Sequence, residues 1–182
     1  SLLRKRRAVL HQQIARALER LHPQLHDEHL AQLAHHYSLS DDQDRALQYL
    51  LRFGDRAARL YANQDAVGCY RRALALLEEH DDNAELKAEV LEKLADSYSG
   101  LGNPEVALES WQAALARYET LGKWNRLAVV HRKIGLHWWG QGNGEKTVTH
   151  FHHGLDLLTK EPDSVEAALL YQELGRLYFR KG

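Results

Sequence analysis

One pattern recurs in this chain at a period of about 40 residues, and that period restricts the fold more than any single motif does. Four segments align on a small residue preceded by an apolar one: Leu50-x2-Phe53-Gly54-x2-Ala57, Leu91-x2-Leu94-Ala95-x2-Tyr98, His131-x2-Ile134-Gly135-x2-Trp138 and Tyr171-x2-Leu174-Gly175-x2-Tyr178. The small residues Gly54, Ala95, Gly135 and Gly175 stand 41, 40 and 40 positions apart. A second pattern follows the first three at a fixed offset: Ala66-x3-Tyr70-x2-Ala73, Ala107-x3-Trp111-x2-Ala114 and Thr147-x3-Phe151-x2-Gly154.

Each unit reads as two antiparallel helices, A then B. The small residue on helix A lets the aromatic of helix B approach its backbone, so Gly135 is expected where the helix B of its own unit crosses closely. No such unit can bury its apolar face alone, and neighbours must stack. The turns agree with this reading. Gly102-Asn103-Pro104 ends one helix and begins the next, with Pro104 at a favoured first helical position. Gly142-Asn143-Gly144 repeats the device one unit later, and Asn63 and Asp163 are expected N-caps. Pro23 and Pro162 likewise fall between apolar-periodic segments. The repeat count predicts about nine helices and no sheet: an entry pair over 1–40, repeats over 41–81, 82–121 and 122–162, and a half repeat over 163–182.

The order apolar-x2-Leu-Gly-x2-Tyr, then Ala-x3-aromatic-x2-Ala, resembles the tetratricopeptide repeat over residues 41 to 182. The usual period is about 34 residues, so this one is longer by roughly two helical turns. Three residues depart from the pattern: His131 where a large apolar residue is usual, and Thr147 and Gly154 where alanine is usual. The resemblance implies an all-α fold, antiparallel helix pairs stacked as a right-handed solenoid, with a concave groove that holds a protein or peptide partner.

A second resemblance covers the first third of the chain. The stretch from Arg7-Ala8-Val9-Leu10-His11 to Ala17-Leu18-Glu19 is followed by Leu33-Ala34-His35-His36-Tyr37, Arg45-Ala46-Leu47-Gln48-Tyr49-Leu50 and Gly54-Asp55-Arg56-Ala57-Ala58. Taken whole, it is similar to the junction between the ATPase core of STAND-type signalling NTPases and their C-terminal tetratricopeptide sensor. It implies an upstream ATPase or effector domain and a regulatory, ligand-sensing role. The ATPase itself is not in this sequence, which contains no Gly-x4-Gly-Lys-Ser/Thr loop. The chain begins at Ser1 and has no methionine, and so reads as a piece of a longer protein.

Composition narrows the classes further. Of 182 residues, 27% are charged and 44% apolar, values of a soluble globular chain. No apolar stretch nears the roughly 20 residues of a membrane span, and Ser1 to Arg7 lack a signal-peptide core. Cys69 is the only cysteine, so no intrachain disulfide can form, which fits a cytoplasmic location. A formal net charge of -1 gives no global pull toward nucleic acid or lipid. The basic run Arg4-Lys5-Arg6-Arg7 has no interleaved aromatics, and reads as a helix docking on the upstream domain rather than a nucleic-acid contact.

Neither a catalytic nor a cofactor constellation is visible. Ser97 and Ser99 lack a Gly-x-Ser-x-Gly context, and Cys69 reads as a small core residue. The pairs Asp41-Asp42, Glu78-Glu79 and Asp81-Asp82 flank helix boundaries, where caps and solvated ends account for them. Of two histidine groups with partial helical ligand spacing, His150/His152/His153 has no Cys, and no Asp or Glu at matching spacing, to complete a set, and His22/His26/His29 lies where Pro23 suggests a turn. They read as solvated or packing side chains, so no metal is expected.

The groove is the remaining candidate site. Positions opposite the small packing residues follow from the 3.6-residue period. They are Gln48, Asp55 and Arg59; Glu89, Glu92, Asp96 and Ser99; Arg132, Leu136 and Trp139; and Gln172, Arg176 and Phe179. The order runs from acidic to basic and aromatic. Trp139 and Phe179 are either partner anchors or packing residues for the next helix. The lysine and asparagine pattern that grips a peptide carboxylate in some chaperone-binding relatives is not seen. The expected function is a non-catalytic interaction or ligand-sensing module. The alternative is an oligomerisation scaffold that stacks through its last helix; with Leu170, Leu174, Leu177 and Tyr178 partly uncovered, the chain is expected either to self-associate there or to continue into further repeats in the native protein.

Overall fold

The computed structural model describes residues 2–21, 29–80, 83–159 and 164–181. Pro23, Pro162, Asp163, the Asp81-Asp82 pair, His22, His26 and Gly182 lie outside them. The described residues form nine helices and no strand: α1 (Leu2–Leu21), α2 (Leu30–Tyr37), α3 (Gln43–Arg59), α4 (Asn63–His80), α5 (Ala84–Gly100), α6 (Pro104–Thr120), α7 (Trp124–Gly140), α8 (Gly144–Leu157) and α9 (Val165–Lys181). The chain divides into two compact units, Ser1–Asn83 with Asp96–Leu101, and Ala84–Ala95 with Gly102–Gly182.

In the first unit, α3 and α4 form one A/B pair closed at a glycine. A β-carbon on Gly54 would lie 2.8 Å from Cε1 of Tyr70 and 3.2 Å from Cβ of Cys69. The absent side chain lets the fully buried Tyr70 ring lie on the α3 backbone. Burying such a ring contributes about 1.5–3 kcal/mol, and its hydroxyl donates to Asp55 Oδ1 at 2.7 Å, which removes the cost of a buried phenol. The entry helix α1 turns Ala8 and Ala15 inward. Its Glu19 accepts from Tyr37 of α2 at 2.8 Å and from Tyr49 of α3 at 2.5 Å, while Arg45 pairs with the same carboxylate at 2.5 Å. The Tyr37 and Tyr49 rings stack 5.3 Å apart and nearly parallel.

The second unit repeats the A/B closure at α7 and α8. A β-carbon on Gly135 would clash with Cε1 and Cδ1 of the Phe151 ring, which is buried. The departures in this repeat now have physical causes. At Gly154 a β-carbon would meet Cδ1 of Leu170 at 2.9 Å, so the missing methyl admits α9. Thr147 is buried, and its hydroxyl donates to the Asn143 carbonyl at 2.8 Å within its own helix. Ala128, Phe151, Leu158, Ala167, Leu170 and Leu174 form one core cluster.

Two expectations need correcting. Leu170, Leu174 and Leu177 are buried rather than partly uncovered: Leu170 and Leu174 belong to the core cluster that includes α7 and α8 residues, and Leu177 lies on the same side of α9. Of the four residues named, Tyr178 alone is exposed. Asn63 is the first helical residue of α4 rather than its cap. The Ala62 carbonyl accepts from Ala66 N–H at 3.1 Å and so begins the ladder, and the Asn63 side chain packs against Gly100. Asn103 and Asn143 do occupy the cap positions of α6 and α8, and Asn143 accepts from Lys146 N–H at 3.1 Å.

The turns share one backbone conformation. Gly102, Gly122 and Gly142 have φ of 73°, 65° and 74°, and after the last two Lys123 N–H and Asn143 N–H return to the carbonyls of Tyr118 and Trp138. In the first repeat the same position is filled by Tyr61 at φ 58°, with 86% of its surface exposed. A side chain there costs roughly 1–2 kcal/mol. Tyr61→Gly should therefore raise unfolding stability by about 1 kcal/mol in a urea titration; a loss of stability would show that the exposed ring holds the turn.

Candidate functional site

The expected groove residues fall into both units, and each unit places them differently. In the first, Gln48, Arg59, Asp96 and Ser99 are exposed, and Asp55 is half-buried as the acceptor for Tyr70. Burial pushes the Tyr70 phenol up, the Asp55 hydrogen bond adds to this, and the ring stays neutral.

In the second unit, Glu89 is half-buried, while Glu92 is 3% exposed and is held on three sides. Arg126 and Lys133 approach its two oxygens at 2.6 and 2.7 Å, and the Tyr118 hydroxyl donates at 3.0 Å. This carboxylate ties α5, α6 and α7 together and is spent on structure. Arg132 is paired with Glu166 at 2.6 Å.

Three of the expected residues, Leu136, Trp139 and Arg176, meet in one cleft of about 240 Å³, with Phe151, Glu173 and Leu177 completing its lining. Helices α7 and α9 form its walls. Arg176 donates to Glu173 at 3.0 Å. The cleft thus presents leucine and tryptophan beside a matched ion pair, where the sequence reading had a basic patch. Glu173 was missed, although its i,i+3 spacing to Arg176 on one helix is a readable signal. Gln172 and Phe179 are exposed and do not line the cleft.

Histidines form a second constellation. His131 of α7 and His150 of α8 share a contact of 3.1 Å between their Nδ1 atoms, and the His153 ring lies 5.5 Å from His131. In the first unit His11 and His36 repeat the device at 2.9 Å, with His35 beside them. Such a contact needs at least one neutral ring as acceptor. Burial first, then the neighbouring His150 and His153, push His131 down to about 4. Burial, His153 and Lys146 also lower His150. Among the described residues, no group of three or more His, Cys, Asp or Glu is arranged to hold a metal ion. The Cys69 thiol is buried and pushed up to about 11, which keeps it protonated and unreactive. No helix among the described residues is long and apolar enough to cross a membrane.

Against this geometry stand the comparisons with known proteins. No protein-family model matches the chain, and no curated protein matches it in sequence. Solved structures match in fold. BtubC (BKLC) from P. vanneervenii aligns with a TM-score of 0.65 and 19% identity over 85% of this chain and 62% of that one. Aspartyl phosphate phosphatase F from Bacillus subtilis aligns at 0.68 and 16%, over 92% of this chain and 44% of that one. The APC/C hetero-tetramer Cut9–Hcn1 aligns at 0.56 and 19%, over 78% of this chain and 28% of that one. These are tetratricopeptide-like helical repeat proteins. The chain therefore has an all-α, tetratricopeptide-like fold, and it spans less than two thirds of the length of these neighbours.

The low His131 value fixes a pH dependence. The unfolded ring takes its proton near 6.5 and the folded one near 4, so between these values the unfolded chain binds more protons. This contribution is complete above about pH 6.5 and is lost as pH falls toward 4. Melting curves from pH 7.5 to 4.5 should show a smaller drop in Tm for His131→Gln than for the wild type. Parallel curves would remove the histidine pair as the cause.

Proposed function

We propose that this chain is a non-catalytic interaction module whose second unit holds a peptide or protein segment in the cleft between α7 and α9. The observation that carries the reading is the cleft itself. Its lining includes the 36% exposed Leu136, the half-buried Trp139 and a charge pair at its edge. An exposed apolar lining with a few oriented polar groups suits one apolar side chain of a partner, with the partner backbone near Glu173 and Arg176. The fold likeness supports a protein partner in general terms: the neighbours are interaction repeats, and Cut9 is found assembled with Hcn1.

The finer reading, a sensor attached to a signalling ATPase or a transcriptional regulator, rests on the resemblance of residues 7 to 58 alone. A full-length reading frame with an upstream phosphate-binding loop would support it.

Panning a random peptide library against the chain tests the cleft. Selected peptides should lose roughly tenfold or more in affinity on Trp139→Ala. The same peptides should weaken on Arg176→Ala, whose side chain is mostly exposed. They should be indifferent to Gln48→Ala in the other unit. Selected peptides that bind both cleft variants unchanged would place the site elsewhere.

A further inference from the structure

The second unit holds another cleft, of about 380 Å³, where the interior helices α6, α7 and α8 meet. It shares no lining residue with the α7/α9 cleft. Leu108 and Gln112, one turn apart on α6, form one wall, and Trp138 of α7 lies in the lining. Asn143, Lys146 and His150 line it from α8, again at steps of three and four. The Lys146 ammonium sits 3.8 Å from the centre of the Trp138 ring, and no carboxylate among the described residues pairs with it. An indole face holds an ammonium in place but carries no net charge, so the lysine keeps its attraction for an anion. Its field reaches into the cleft: His150 is made less basic by burial first, and then by His153 and Lys146. Two amides complete the donors. Gln112 is exposed and has no hydrogen bond to another described residue. Asn143 spends its side-chain oxygen on Lys146 N–H, which leaves its amide N–H groups for a ligand.

We propose that this cleft binds a small monocarboxylate with an apolar or aromatic body, its carboxylate on Lys146 and the two amides and its body against Leu108 and Trp138. One ammonium matches one negative charge. A phosphate dianion would bring a second charge beside Glu145, which lines the same cleft, with no further cation there to meet it. Leu108 and Trp138 are half-buried and supply the apolar surface that the body of such a ligand needs. The volume is that of a small-molecule site rather than of a surface that seats a folded partner. The inference is independent of the peptide reading of the α7/α9 cleft.

Phenylacetate serves as probe, titrated into the isotope-labelled whole chain and followed by two-dimensional NMR of the amide and indole N–H groups. Saturable shifts are expected at the Trp138 indole, the Gln112 side chain and the first turns of α8. Phenylacetamide, the same body without the charge, should bind roughly tenfold more weakly or worse. Lys146→Met should weaken phenylacetate to a similar degree and leave phenylacetamide unchanged. Gln112→Ala, at an exposed position, should weaken phenylacetate severalfold and serves as the second variant. Melting temperature and helix content are compared for both variants and the wild type. Absence of saturable binding, equal affinity for the two probes, phenylacetate binding that survives both substitutions, or shifts that map to the α7/α9 cleft would each overturn the proposal.

Discussion

Everything in the two A/B closures follows from the contact between a helix backbone and an aromatic ring at a residue without a side chain. An aromatic ring on one helix normally meets the β-carbons of its neighbour and holds the axes 8–10 Å apart. At Gly54 and Gly135 those atoms are missing, and Tyr70 and Phe151 move into the space. This contact fixes the register of each pair, because a shift of one residue would put a β-carbon into the ring. It also explains the long spacing between the patterns: the chain must complete helix A, turn, and return along helix B before the aromatic arrives. The turn glycines, with their left-handed φ, are the second half of that device.

Charge is used sparingly and locally. Glu19 in the first unit gathers two tyrosine hydroxyls and one cation, and Glu92 in the second gathers one hydroxyl and two cations. A buried carboxylate such as Glu92 is costly unless neutralised and hydrogen-bonded, and both conditions are met there. These hubs connect helices that do not share a glycine–aromatic contact. Of the acidic residues expected along the groove, Glu92 is the one engaged in such a hub, paired with Arg126 and Lys133.

The fold was legible in the sequence because the repeat leaves its signature at the closest contacts. Gly54, Gly135, Tyr70 and Phe151 could be read as partners from spacing alone, and Pro104 and Gly102 marked a turn. The site was legible only in part. Leu136, Trp139 and Arg176 were placed on the groove face by periodicity and do share a cleft. Glu173 was missed because a helical projection names faces and does not see which neighbour neutralises a charge. Glu92 was projected outward, yet it is buried, because the cations that hold it, Arg126 and Lys133, lie more than thirty residues away in sequence. The burial of Leu170 depended in the same way on Gly154, whose missing methyl looked like a weak match to the repeat and is a seat for α9.

The glycine–aromatic contact is tested most directly by placing the same side chain at two glycines of one register, one filled and one open. Urea unfolding of Gly135→Leu and Gly175→Leu, followed by circular dichroism at one protein concentration, makes that comparison. The account predicts that Gly135→Leu lowers stability by about 1–3 kcal/mol through overpacking against Phe151, while Gly175→Leu leaves it unchanged or raises it by up to about 1 kcal/mol through helix propensity. Equal effects at the two positions would contradict the claim that a ring seated on a bare backbone sets the helix pairs.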